Sequence, residues 1–138
     1  MNTTHYKRHI LDLPEMDAQH TYLYLLFDSI EECPVPTDSP RIKLLLAEIE
    51  RYIMFHFVSE ENLMKSYKFP GFAVHQSSHE SAANKLIAFL DDFDAGRLNS
   101  AALKIFLTGW LMDHSVESDN EYAVWIRNFR STNLLSSL

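Results

Sequence analysis

Residues 41–65, RIKLLLAEIERYIMFHFVSEENLMK, decide the fold. Ile42, Leu45, Leu46, Ile49, Ile53, His56, Glu60, Leu63 and Met64 fall on one stripe at i, i+3, i+4, i+7 spacing, the signature of an amphipathic helix. Two members of that stripe, His56 and Glu60, are polar and lie one turn apart. Burying a polar group without a partner costs roughly 2 to 7 kcal/mol. A helix that sets two of them in its apolar face therefore needs something inside the fold to satisfy both.

The flanking segments repeat the design. His75, His79, Ala83, Leu86, Leu90 and Phe93 share a face between Phe72 and Asp94. Upstream, about Ala18 to Glu32, the stripe is His20, Leu23, Phe27 and Ile30. Downstream it is Leu103, Leu107, Trp110, Leu111 and His114. Three breaks separate these segments: Cys33 to Pro40 with its three prolines, Pro70-Gly71, and Gly96 to Ser100. Ser39, Asp17 and either Asn99 or Ser100 read as helix N-caps. Four amphipathic helices with short connections predict an all-α chain folded as an up-down-up-down four-helix bundle. The expected layout is one domain over residues 1–138, with an N-terminal arm at 1–16, the bundle at about 17–130 and a fraying tail at 131–138.

Five of the seven histidines, His20, His56, His75, His79 and His114, lie on inward stripes of four different helices. One buried histidine is explained by an ordinary hydrogen bond. Five are explained together by a transition metal, for which neutral imidazole is a leading ligand. His75 and His79 are i, i+4, as are His56 and Glu60, so each pair aims its donor atoms into one volume. Asp119 is five residues beyond His114, and on a regular helix the two would diverge by about 140°. The apolar stripe itself slips by one residue here, resuming as Asp119, Tyr122, Ile126 and Phe129. The slip predicts a π-bulge or a break between His114 and Asp119 that turns both inward.

These residues, in this order, resemble the hemerythrin family. The elements are Met16-Asp17-Ala18-Gln19-His20, His56-Phe57-x-x-Glu60-Glu61-x-Leu63-Met64, His75-x-x-x-His79, and Trp110-Leu111-Met112-Asp113-His114 with Asp119. The resemblance implies two iron ions with an oxo or hydroxo bridge. It gives His75, His79 and His114 to one iron, His20 and His56 to the other, and Glu60 and Asp119 to both. It implies reversible binding of dioxygen, as a hydroperoxide, at the five-coordinate iron of His20 and His56. Trp110 and Leu111 are the expected walls of the oxygen pocket. Ser115 stands where the family usually has isoleucine, and its hydroxyl is expected to admit water and speed autoxidation. The N-terminal arm has His5 and Tyr6 where the family often has a tryptophan.

The donor set favours binding over oxidation chemistry. Ferritin-like oxidases use carboxylate-rich sites with Glu-x-x-His pairs, and this chain contains none. The alternatives on the same scaffold are a di-iron peroxidase, oxidase or nitric-oxide-handling enzyme, and a sensor acting through a separate partner. A net charge of −7 argues against nucleic acid as a partner. No stretch is long enough for membrane insertion. The lone Cys33 and the absence of an apolar leader point to the cytoplasm, and the single-domain form of the resemblance suggests a bacterial origin. A monomer is the expected state. His5 and His9 are expected at the surface, Glu61 off the inner stripe and either solvated or behind a metal ligand, the Phe55, Phe57, Phe69 and Phe72 rings in core or hinge packing, and Gly109 at a close helix contact.

Overall fold

The computed structural model describes residues 9–30 and 40–136, with side chains to residue 132. Cys33, Ser39, His5 and Tyr6 lie outside the described residues. Helix α1 (Pro14–Asp28) opens with proline in its first turn, where the missing N–H costs nothing. Its cap is Leu13, so Asp17 is not the cap the sequence suggested. Asp17 Oδ1 instead accepts the Leu11 N–H at 2.8 Å and ties the arm to the helix. Helix α2 (Pro40–Ser66) carries the long stripe that includes His56 and Glu60. A tight turn through Lys68, at φ 54°, leads into α3 (Phe72–Asp94). Gly71 is needed there, because a Cβ on it would meet the Phe69 ring at 2.7 Å.

Helix α3 ends in a left-handed cap. Gly96 sits at φ 73°. Its N–H bonds Phe93 O at 3.0 Å, and Arg97 N–H reaches Asp92 O at 2.7 Å, which satisfies two carbonyls of the last turn. Helix α4 (Ser100–His114) starts on Asn99, whose Oδ1 accepts from Ala102 N at 3.0 Å. A π-helical turn then occupies Ser115–Asp119, with Asn120 N–H bonded five residues back to Ser115 O. Helix α5 (Asn120–Ser136) continues the same rod. The predicted slip is therefore a π turn, and the expected tail from residue 131 is helical as far as Ser136.

Helix α1 packs on α2 and α4, and α3 packs on the same two helices, which closes a four-sided bundle. The apolar side chains form two cores. One contains Leu23, Phe27, Ile49, Ile53, Phe57, Leu86, Leu103, Leu107 and Leu111. The other contains Leu11, Leu13, Met16, Met64, Tyr122, Ala123 and Ile126. Each helix passes from one core to the other, and its direction alternates along the chain. The arm closes the second core through Leu11 and Leu13, and Arg127 donates to the Leu11 carbonyl. His9 is half-buried beside it. No helix among the described residues is long and apolar enough to cross a membrane.

Three expectations fail for side chains away from the stripe centres. Phe55 and Phe129 are exposed, at 54% and 45%. A Cβ on Gly109 would meet nothing within 4 Å, so no close contact requires that glycine. Removing the α4 cap with Asn99→Ala should cost about 1 kcal/mol of stability. A urea titration followed by circular dichroism measures it, with the midpoint expected to fall and the slope to stay constant.

Candidate metal centre

The layer between the two cores is polar. His20 from α1, His56 and Glu60 from α2, His75 and His79 from α3, His114 from α4 and Asp119 from the π turn all face it, each 5% exposed or less. The structure brings all seven predicted residues together. Glu60 and Asp119 are completely buried.

Each carboxylate divides its two oxygens. Glu60 Oε1 lies 2.9 Å from His79 Nε2 and 3.5 Å from His75 Nε2. Glu60 Oε2 lies 3.5 Å from His56 Nε2 and 3.8 Å from His20 Nε2. Asp119 behaves alike, with Oδ1 at 3.0 Å from His114 Nε2 and 3.1 Å from His75 Nε2, and Oδ2 at 3.2 Å from His20 Nε2. Two donor groups result, Glu60, His75, His79, His114 and Asp119 in one, and His20, His56, Glu60 and Asp119 in the other. Within each, the donor atoms lie within 4.8 Å of one another.

The hydrogen bonds behind the imidazoles show that these donors need cations. His79 Nδ1 donates to Glu61 Oε2 at 2.8 Å, and a carboxylate can only accept. A ring held this way aims Nε2 at Glu60 Oε1 at 2.9 Å, a contact that needs a proton or a metal ion between the two atoms. His56 Nδ1 similarly meets Gln19 Oε1 at 2.7 Å, while the Gln19 amide nitrogen donates to Ser59 Oγ at 3.0 Å. His114 Nε2 faces His75 Nε2 at 3.0 Å, with Ser78 Oγ behind His114 Nδ1 at 3.1 Å. Both Asp119 oxygens and His20 Nε2 are buried without a well-formed hydrogen bond. Ligand atoms about 2.1 Å from one ion sit roughly 3 Å apart along an octahedral edge, close to the separations seen here.

Titration follows the same electrostatics. Burial opposes charge on His20 and His75, but the Asp119 and Glu60 carboxylates outweigh it and push these rings up to about 10 and about 9. Burial dominates at His56 and depresses it to about 4, so that ring stays neutral. Burial works to raise Glu60 and Asp119, yet the surrounding histidines hold both well below the usual carboxylate range.

The family model of the Hemerythrin HHE cation binding domain matches residues 11–126. The chain belongs to the hemerythrin family. It is 27% identical to a bacteriohemerythrin of Stenotrophomonas maltophilia over 108 residues, covering 78% of this chain and 71% of that one. It is 24% identical to a bacteriohemerythrin of Pseudomonas aeruginosa over 116 residues, covering 84% and 76%. A bacteriohemerythrin of Clostridium acetobutylicum is 28% identical over 85 residues, covering 59% and 65%. No solved structure matches the chain.

Within this hemerythrin the pocket candidates separate. Trp110 stacks on His114 at 4.4 Å between ring centres and lies 6.5 Å from His79, so its indole shields the three-histidine side. Phe57 stacks flat on His79 at 4.0 Å. Leu111 is buried one turn before His114 in the core that also holds Leu23, one turn beyond His20. Ser115 is buried, and its Oγ has no hydrogen-bond partner.

Several contacts were missed from sequence. Tyr122 donates its hydroxyl to Glu60 Oε2 at 2.6 Å in a fully buried contact. Glu61, left open between solvent and a place behind a ligand, takes the second, turning back to His79 and also accepting from Gln76 at 3.1 Å. Gln19 and Ser78 support ligand-position rings. The i−1 and i+1 neighbours of inward histidines and glutamates were the available signal, since a long polar side chain there can fold back around its helix.

Metal removal should expose a pH dependence. Folded pKa values of about 10 and about 9 on His20 and His75 exceed the unfolded value of about 6.5. Their contribution is full below about 6.5 and is lost as pH rises through 9 to 10. In a chelator, the melting temperature of the metal-free protein should fall steadily from pH 7 to pH 10. The metal-loaded protein, whose donors carry no such protons, should change far less.

Proposed function

We propose that the seven residues hold two iron ions, with Glu60 and Asp119 bridging them, and that the pair binds dioxygen reversibly. The division of each carboxylate's oxygens between two histidine groups carries this reading. One oxygen toward each group is the arrangement a bridging carboxylate needs. Imidazole and carboxylate together suit a first-row transition metal better than calcium or magnesium. Structural zinc sites close with four ligands, whereas the three-histidine group alone offers five donors. Membership of the family and the relatives named bacteriohemerythrin support iron.

Bound iron would supply the two electrons and the open coordination position that reversible dioxygen binding needs. The protein decides where that position is. The His20 and His56 group has one donor fewer than the other, so an external ligand is received on that side. Leu23, one turn beyond His20, and Leu111, buried in the same core, would supply the apolar surface that keeps water out there. Ser115, next to His114, adds a buried hydroxyl that has no hydrogen-bond partner among the described residues. Trp110 and Phe57 cover the opposite rings.

Metal analysis of protein from iron-replete cells should find two irons per chain. Glu60→Ala or Asp119→Ala should lower that content by half or more. Oxygen added to the reduced protein should produce charge-transfer bands in the visible region, and argon sparging should remove them without leaving oxidised iron. Steady oxygen consumption with a reductant would assign the site to an enzyme instead, and a zinc-only protein would remove the proposal.

Ser115→Ile should slow autoxidation several-fold by excluding water, with ligand content unchanged. Decay of the oxygenated bands with time measures it. An unchanged decay rate would show that water reaches the centre by another route.

A further inference from the structure

Helix α2 has a second face that the bundle leaves uncovered. Leu44, Met54, Phe55 and Val58 are 72%, 45%, 54% and 53% exposed. Leu44, Ala47, Glu48, Arg51, Tyr52 and Phe55 line a shallow groove along it. The face continues onto α1, where Leu25 is 58% exposed and the Tyr22 ring lies 4.7 Å from Tyr52. The Tyr22 hydroxyl donates to Glu48 and holds that carboxylate on the face. Arg51, at the middle of the groove, is exposed and makes no ion pair among the described residues.

We propose that this face seats a second copy of the same chain, with the two α2 helices antiparallel about a two-fold axis between Ile49 and Glu50. The pattern of the groove is self-complementary about that point. The axis sets Leu44 opposite Phe55 of the second copy, small Ala47 opposite large Tyr52, and Glu48 opposite Arg51. Each contact occurs twice, as an isologous interface requires. Side chains of alternating size let the ridges of one helix enter the grooves of the other. Arg51 gains the carboxylate it lacks within its own chain.

Charge selects this register. An axis at Arg51 itself would also pair apolar groups, Leu44 with Val58 and Ala47 with Phe55. It would force the two Arg51 guanidiniums together, a like-charge contact that disfavours the arrangement. A partner of different sequence would have no reason to meet a groove whose charges and sizes mirror themselves about one point.

Sedimentation velocity of the full, metal-loaded chain tests this, with reductant present so that Cys33 cannot cross-link copies. The concentration series should span roughly 1 to 100 µM, the range in which interfaces of modest size associate. A dimer is expected at the upper end. Arg51→Glu and Glu48→Arg should each weaken it tenfold or more. The double variant E48R/R51E restores opposite charges at every contact and should recover most of the association, a coupling only a paired contact produces. Phe55→Asp should give a monomer with unchanged helical content, which separates loss of the interface from loss of the fold. A wild-type monomer throughout the series overturns the proposal. A dimer indifferent to Arg51→Glu and Phe55→Asp, or a double variant no better than the single ones, also overturns it.

Discussion

Two carboxylates with no access to water, Glu60 and Asp119, set the terms for this structure. An unpaired charge in such a place costs several kcal/mol even after the protein relaxes. Five imidazoles converge on the pair from all four sides of the bundle, yet neutral imidazoles cannot neutralise it. Charge balance needs cations in the layer. Protons on His20 and His75 are one form of that balance, and metal ions are the other. The hydrogen bond from His79 Nδ1 to Glu61 suits the second form, because it fixes the ring with Nε2 aimed inward.

The bundle serves this layer by isolating it. Each helix gives its apolar side chains to one core, one or two polar groups to the layer, and further apolar side chains to the other core. The alternating helix direction lets a single chain do this four times. The π turn solves the remaining problem of reach. In a regular helix, residues four apart share a face, and His114 and Asp119 are five apart. One extra residue absorbed at Ser115–Asp119 gives the longer spacing the same result, and α5 resumes in phase with Tyr122 and Ile126 buried.

The sequence was most readable where polar residues interrupted an apolar period. His56 and Glu60 stood out because their neighbours on the stripe were leucine and isoleucine, and the slip after His114 showed because the stripe resumed beyond it. Periodicity reads only the centre of a face. It could not place Phe55, a large ring at the stripe's edge that points to solvent. It missed Gln19 and left Glu61 open between solvent and a place behind a ligand; both side chains leave the helix off the inner stripe and bend back to a ring nitrogen. It put the start of α1 at Asp17 rather than Pro14, because a good capping residue outweighed a proline that suits the first turn equally well. Tyr122 was assigned to the apolar stripe, and only the fold shows its hydroxyl reaching Glu60 across 62 residues of chain.

The groups behind the rings make the two halves of the centre chemically unequal. His79 is backed by the Glu61 carboxylate, which increases the donor strength of its inward nitrogen. His56 is backed by the neutral Gln19 amide, and His20 Nδ1 has no partner among the described residues. On Glu60, Oε1 faces the His79 side free of any other donor, while Oε2 gives up electron density to the Tyr122 hydroxyl. Each of these differences strengthens donation on the three-histidine side and weakens it on the side of His20 and His56. The group with fewer donors is thus also the one with poorer donors. On the proposed reading, a cation held there would keep more of its charge unsatisfied, and an anionic or electron-accepting ligand from outside would complete it.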